Sequence, residues 1–239
     1  KQVGKAPKAP ESGPRDKDQV NLTDEESRIM PTSGGGFEQA YNAQASVDND
    51  SGLIITRHVT QATNDKQEIK PTLAALAELE PVAGKAEGLV ADAGYFSEAN
   101  VNAVDQAGLQ PYIAMRRDAH NQSLKDRFAP DAPRPEGEDV TPLVLMSWCL
   151  QTKAGRAIYS RRKCTIEPTF GIQKAVMGYR QFLVRGHEGV TAEWDLLCLA
   201  FNLKRMFSLM RGSSEKWFAL RALIRSTRTL IAAILRNRR

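Results

Sequence analysis

Between residues 41 and 114 the apolar period of the chain changes several times, and that alternation restricts it to folds that layer strands with helices. Tyr41, Ala43, Ala45 and Val47 stand at every second position, and Leu53-Ile54-Ile55 through Val59 follows a turn at Asn49-Asp50-Ser51-Gly52. The two runs predict a β-hairpin. From Asn64 to Leu79 the spacing becomes helical, with Ile69, Leu73, Leu76 and Leu79 on one face behind residues suited to capping. A short apolar run, Gly88-Leu89-Val90-Ala91, then stops at Asp92 and predicts a buried strand. Ser97 caps a second helix that reaches Ala107 and is stopped by Gly108; Pro111-Tyr112-Ile113-Ala114 supplies a further strand. From Leu143 onward the pattern is almost wholly helical. Trp194, Leu197, Cys198 and Phe201 share one stripe of a helix over 191–210, which reads as core rather than cofactor contact. The expectation is an α/β or mixed α+β layer without internal repeats.

Composition sets the outer limits. The chain has 239 residues, 41% of them hydrophobic, enough for one sizeable core or two small ones. Residues 1–19 are rich in Lys, Pro, Gly and Asp with few apolar side chains, and read as a flexible linker. Residues 118–142 read as an inserted loop. The chain begins at Lys1, as expected of a segment of a longer protein. Cys149, Cys164 and Cys198 are odd in number and lack CxxC spacing, so neither a disulfide framework nor a zinc knuckle is indicated, and a reducing, cytoplasmic setting fits. No apolar run approaches the roughly 20 residues of a membrane helix. The net charge of +5 hides an asymmetry: residues 1–149 hold 15 Lys/Arg against 23 Asp/Glu, residues 150–239 hold 18 against 5. A basic half of that kind suits a polyanion, because each phosphate neutralised releases counterions. The plainer reading is a solvated basic helix surface.

Three acids stand in settings suited to chemistry. Asp92 ends a buried strand, where α/β sheets open toward ligands, and Ala93-Gly94 after it leaves room for a bulky substrate. Asp24 follows Leu22-Thr23, and Glu167 lies in a helical region with Phe170, Gly171 and Lys174 at i+3, i+4 and i+7. Pro168 is best tolerated in a first turn, so a helix is expected to begin close to Glu167. Singly, each acid reads more simply as a surface carboxylate or a helix cap. Two aspartates and a glutamate in one pocket would repel one another without a cation, and hard oxygen ligands suit Mg²⁺ or Mn²⁺. A pair of such ions serves in-line phosphoryl displacement.

Five phrases, in order, carry a resemblance: Asn21-Leu22-Thr23-Asp24-Glu25-Glu26-Ser27-Arg28-Ile29-Met30, Tyr41-Asn42-Ala43-Gln44-Ala45-Ser46-Val47-Asp48, Val90-Ala91-Asp92-Ala93-Gly94-Tyr95-Phe96, Ile166-Glu167-Pro168-Thr169-Phe170-Gly171 and Glu193-Trp194-Asp195-Leu196-Leu197. The sequence resembles the DDE transposases of bacterial insertion sequences from about Asn21 to Met206. The resemblance implies a ribonuclease-H-like catalytic domain over 20–210, a mixed sheet flanked by helices. Beyond it, the ten Lys/Arg against the single acid Glu215 from Lys204 to Arg239, with apolar Trp217, Leu220, Leu223, Ile224, Leu230, Ile231 and Leu235, read as a basic amphipathic C-terminal helix over 211–239, expected on DNA phosphates, with covering the domain or lying on a membrane surface as the alternatives. The resemblance places Asp24 on the first strand, Asp92 just beyond the fourth and Glu167 on a later helix, together holding two Mg²⁺ or Mn²⁺ ions. Asp48 is the alternative first acid, although it has a ready role in opening the turn at 48–52.

A tyrosine, arginine, glutamate and lysine signature of the family looks like Tyr159, Arg162, Glu167 and Lys174 here. The gap after Arg162 is one residue longer than the common form, so Lys163 is the alternative cation. With Arg180 and Arg185 these residues are expected on DNA phosphates. His58, His120 and His187 read as structural or surface histidines. The implied partners are double-stranded transposon-end and target DNA and a second copy of the chain, with no membrane. Two other readings stay open: a ribonuclease-H-like nuclease without strand transfer, and a catalytically silent DNA-binding remnant.

Overall fold

The computed structural model describes residues 21–32, 35–115, 130–137 and 139–211. The expected linker, most of the inserted loop, His120 and the expected C-terminal helix therefore lie outside the described residues. Among the described residues, six strands occur as three ladders. β1 (Arg28–Pro31) pairs antiparallel with β2 (Phe37–Ala40), β3 (Asn42–Val47) antiparallel with β4 (Ile54–Thr60), and β5 (Gly88–Ala91) parallel with β6 (Gln110–Ile113). One residue, Tyr41, separates β2 from β3. The expected hairpin is β3–β4, in which Asp48 Oδ2 accepts from the amide and hydroxyl of Ser51 at 2.7 and 2.6 Å. Asp48 is thus engaged in the turn that its sequence setting suggested.

Among the described residues, six α-helices surround the ladders: α1 (Ile69–Ala83), α2 (Glu98–Gln106), α3 (Pro142–Gln151), α4 (Lys153–Ser160), α5 (Arg162–Gly171) and α6 (His187–Met210). Helix α1 is preceded by a 3-10 turn, Asp65–Gln67, that Asn64 caps. Ser97 caps α2 by accepting from Asn100 N. Because α2 is the crossover between β5 and β6, those strands run parallel. A Cβ on Gly88 would lie 2.8 Å from Gln110 O, so only glycine lets β5 approach β6 this closely.

The core has two parts. One joins β5, β6 and helices α1 to α3, where Ile69, Val101, Val104, Ile113 and Met146 are buried. The other seats α6 on the β3–β4 hairpin: Trp194 is buried, stacks on Phe170 at 5.9 Å and donates from Nε1 to Gln44 O at 3.0 Å. The helical stripe expected from sequence is this contact. Asn202 completes it by bridging the amide and carbonyl of Ile54, both at 2.8 Å, which satisfies backbone groups of β4 that would otherwise be open.

Two expectations need correction. The helix bearing Glu167 does not begin there: α5 starts at Arg162, and Pro168 lies inside it. The proline removes the bond its amide would give to Cys164 O, and the helix continues because Phe170 is anchored on Trp194 and Thr169 donates to Thr165 O at 2.8 Å. The irregularity appears afterward as a π turn over Ile172–Val176, where Met177 N bonds Ile172 O at 2.9 Å. The almost wholly helical run expected after Leu143 is also interrupted, among the described residues, by an irregular link over 177–186 that opens α6 at Gly186, with φ +76°.

Candidate active site

Asp92 caps a 3-10 turn, Ala93–Tyr95, directly after β5, and its Oδ1 accepts from Gly94 N at 2.8 Å. Its carboxylate is therefore fixed by the backbone of the loop that follows. The missing side chain of Gly94 makes room for a second acid: the point a Cβ would take lies 3.0 Å from Asp92 Oδ1 and 3.3 Å from Asp65 Oδ2. Asp65 is held there by Asn42 Nδ2 and Gln44 Nε2, each donating to Oδ1 at 2.8 Å. The Tyr95 hydroxyl donates to Gln44 Oε1. Burial, then the charges of Asp65 and Asp92, push the Tyr95 hydroxyl above the ordinary phenol range. Tyr95 is thus a neutral donor next to two carboxylates.

Glu167 reaches the same place from α5. Arg162 Nη1 lies 3.8 Å from Asp92 Oδ2, and Nη2 lies 4.0 Å from Glu167 Oε1. Both separations exceed hydrogen-bond length, so the guanidinium is held between the acids by charge. Its Cζ lies 5.3 Å from the centroid of the Tyr159 ring, within cation–π range. Two of the other signature residues, Tyr159 and Glu167, therefore gather with Asp92 around the Arg162 guanidinium. Lys163, the alternative cation, is exposed, and the side chain facing the two carboxylates is that of Arg162.

Asp24 is placed differently. It precedes the first strand instead of lying on it, because local bonds compete with the ladder: Asn21 Oδ1 accepts from Thr23 N, Asp24 Oδ1 from Glu26 N, and Ser27 Oγ donates to Asp24 O. Its carboxylate receives the Tyr41 hydroxyl at 2.8 and 3.0 Å and Gly186 N at 3.3 Å. Burial pushes its carboxyl upward, but the Tyr41 hydroxyl and the amides of Gly186, Glu26 and Ser27 outweigh that and hold it below the usual carboxylate range. Tyr41 packs toward α6 with Ala43, Ala45 and Val47, whereas Asn42 and Gln44 turn to Asp65. Asp24 and Asp65 are thus tethered to opposite sides of the same chain segment. Among the described residues, no group of three or more His, Cys, Asp or Glu side chains is close enough to hold a metal ion.

The remaining cations lie apart from this pair of acids. Lys174 and Arg180 line one shallow surface hollow with Ala175, and Arg185 is exposed on the link before α6. The two described histidines are structural: His58 Nε2 lies 2.7 Å from the buried carboxylate of Glu68, and His187 Nε2 is 3.0 Å from Val59 O. Sequence reasoning missed Asp65. It sits where an acid ordinarily serves a helix start, and nothing in its own neighbourhood reveals the partners Asn42 and Gln44 on a distant strand.

Helices account for about half of the described residues, and the strands form small antiparallel and parallel ladders among them. No described helix is long and apolar enough to cross a membrane. Comparison with known proteins returned no match among curated proteins and none among solved structures. Residues 8–203 match the family model described as the transposase DDE domain. With that match over most of its length and an α/β, ribonuclease-H-like fold, the chain belongs to the transposase DDE-domain family.

Proposed function

We propose that this chain cleaves DNA at the ends of an insertion sequence and joins the exposed 3′-hydroxyl to target DNA, with Asp92 and Glu167 at the reacting centre. The observation that carries this reading is that two acids far apart in sequence approach the same guanidinium, at 3.8 and 4.0 Å. The donor chemistry fits a hard divalent cation: both acids offer carboxylate oxygens, both are about half exposed, and a positive charge already lies between them. Asp92, Glu167 and a third acid would hold Mg²⁺ or Mn²⁺. The third is Asp24 as the family resemblance implies, or Asp65 on proximity to Asp92. Such an ion, when bound, polarises a phosphodiester and lowers the pKa of a coordinated water.

The chain's own residues have separable tasks in this proposal. Gly94 N and Arg162 orient the Asp92 carboxylate, and Tyr95 with Gln44 fixes the neighbouring acid. Arg162, Lys174, Arg180 and Arg185 neutralise phosphates, with Lys163 and Tyr159 beside them. Double-stranded DNA and a second copy of the chain are the proposed partners.

A nicking assay on DNA carrying the element's ends, with Mg²⁺, tests the centre. Asp92→Asn and Glu167→Gln abolish cleavage while leaving thermal unfolding nearly unchanged; full activity in Asp92→Asn overturns the assignment. Asp24→Asn and Asp65→Asn, compared side by side, identify the third acid. A pre-cut end separates strand transfer from simple hydrolysis. Salt-sensitive binding without cleavage would instead mark a silent remnant, a reading favoured by the engagement of Asp24 with Tyr41 away from Asp92.

A further inference from the structure

The described arginines differ in how firmly they are held. Arg57 Nε lies 2.7 Å from Asp195 Oδ1, Arg161 Nη2 donates to Asp50 Oδ1 at 2.6 Å and to Asn49 O at 2.7 Å, and Arg205 Nε donates to Ser51 O at 2.7 Å. These are the lengths of charge-assisted hydrogen bonds. Arg162 is held more loosely. Its Nη1 and Nη2 stay 3.8 and 4.0 Å from Asp92 Oδ2 and Glu167 Oε1, and its buried Nε has no hydrogen-bond partner among the described residues. A buried donor left unpaired is costly, so this guanidinium is poorly satisfied where it stands. It cannot relieve that cost by losing its proton, since arginine stays charged in proteins. It can only move.

Its place is the gap between two acids on separate elements, so a divalent cation shared by those acids meets a charge of its own sign there. The guanidinium offsets one of the two negative charges from nearly 4 Å. Mg²⁺ offsets both from about 2.1 Å. Resting on the reading of Asp92 and Glu167 as the reacting centre, we propose that Arg162 is an exchangeable counter-ion: it competes with the divalent cation for the two carboxylates and, once displaced, takes a DNA phosphate. The Tyr159 ring, 5.3 Å from Cζ, belongs to α4 and does not depend on the acids, so it keeps the displaced side chain near the centre. Metal and DNA then strengthen each other's binding by the same factor, because one side chain links the two. An arginine that only oriented the acids would act in the opposite sense, and its removal would weaken metal binding.

Mn²⁺ titrations of the full chain without DNA, followed by electron paramagnetic resonance of the free ion, read that sign. Arg162→Gln tightens Mn²⁺ binding by about three- to tenfold, the effect of two half-exposed charge pairs. Arg162→Lys keeps the charge and shows no such gain. Nor does Lys85→Gln, which makes the same change of charge beside Gly108, at the opposite end of β5 from Asp92. Adding Asp92→Asn to Arg162→Gln abolishes the gain. Unchanged or weaker binding in Arg162→Gln, or an equal gain in Arg162→Lys, overturns the competition and leaves the centre standing as long as Asp92→Asn weakens the wild-type site. Mn²⁺ affinity indifferent to Asp92→Asn overturns both. A second measurement needs no metal: affinity for duplex DNA in EDTA, compared in a mutant cycle. Asp92→Asn with Glu167→Gln frees Arg162 and tightens DNA binding about threefold more in the wild-type background than beside Arg162→Gln. Equal gains in the two backgrounds overturn the transfer of Arg162 to phosphate.

Discussion

Replacing Gly94 with alanine separates the chemistry of the proposed centre from the stability of the fold. Gly94 is not among the glycines with positive φ, so alanine meets no backbone strain there. The added Cβ would stand 3.0 Å from Asp92 Oδ1 and 3.3 Å from Asp65 Oδ2, where ordinary contacts begin near 3.4 Å. The two carboxylates must therefore give way by a few tenths of an ångström. The bond from Gly94 N to Asp92 Oδ1, now 2.8 Å, is strained by that movement, and such a bond contributes about 1 kcal/mol. Against this, losing glycine's freedom in the unfolded chain stabilises by roughly 0.4–1 kcal/mol. The two effects nearly cancel, so the melting temperature moves by no more than a few degrees. Catalysis is less forgiving, because a misplacement of about 1 Å can cost about 10²-fold, and a few tenths about tenfold. The assay is Mg²⁺-dependent nicking alongside thermal melting of the same preparation. Unchanged nicking in a normally folded Gly94→Ala protein would refute the idea that the position of the Asp92 carboxylate matters.

Arg162→Gln keeps a polar side chain but removes the charge between Asp92 and Glu167; DNA binding then weakens and its salt dependence becomes shallower, as filter binding over a salt series would reveal. Gly155→Ala destabilises by about 3 kcal/mol, toward the upper end of overpacking costs, because its Cβ would fall 1.9 Å from Cys149 O; a denaturant titration with unchanged midpoint contradicts this. Acid stability depends on Asp24. Its folded pKa is depressed, so its contribution is present above the unfolded value of about 3.9 and is lost as pH falls through the folded value. Tyr41→Phe removes the hydroxyl that depresses it and flattens the acid limb below about pH 4, measured by stability against pH. Among the thiols, burial pushes Cys198 up to about 12, so alkylation takes exposed Cys164 first and Cys198 only on unfolding, a sequence that mass spectrometry of labelled peptides resolves.

What the residues alone determined was local. Period-two and period-3.6 patterns and short apolar runs marked the β3–β4 hairpin, α1, α2, β5 and β6, because each needs only its own segment to decide which face is apolar, whereas the β1–β2 ladder had no such pattern. The Trp194 stripe and the placement of Asp92 at a strand end follow from the same logic. Tertiary structure decided what lies far apart in sequence. That Arg162 faces both Asp92 and Glu167, and that Asp65 comes beside Asp92 through Asn42 and Gln44, depends on how α5 and β3 meet, which no local period encodes. Pro168 shows the same division. Its sequence preference for a first turn was overruled inside α5, where Phe170 packed on Trp194 anchors the helix. Asp24 shows the converse: short-range bonds from Asn21, Glu26 and Ser27 kept it off the strand that the resemblance implied, and a contact with Tyr41 fixed its direction. Local hydrogen bonding and periodicity act over a few residues and are written in the chain, whereas the meeting of charged groups across layers is settled only when the core closes.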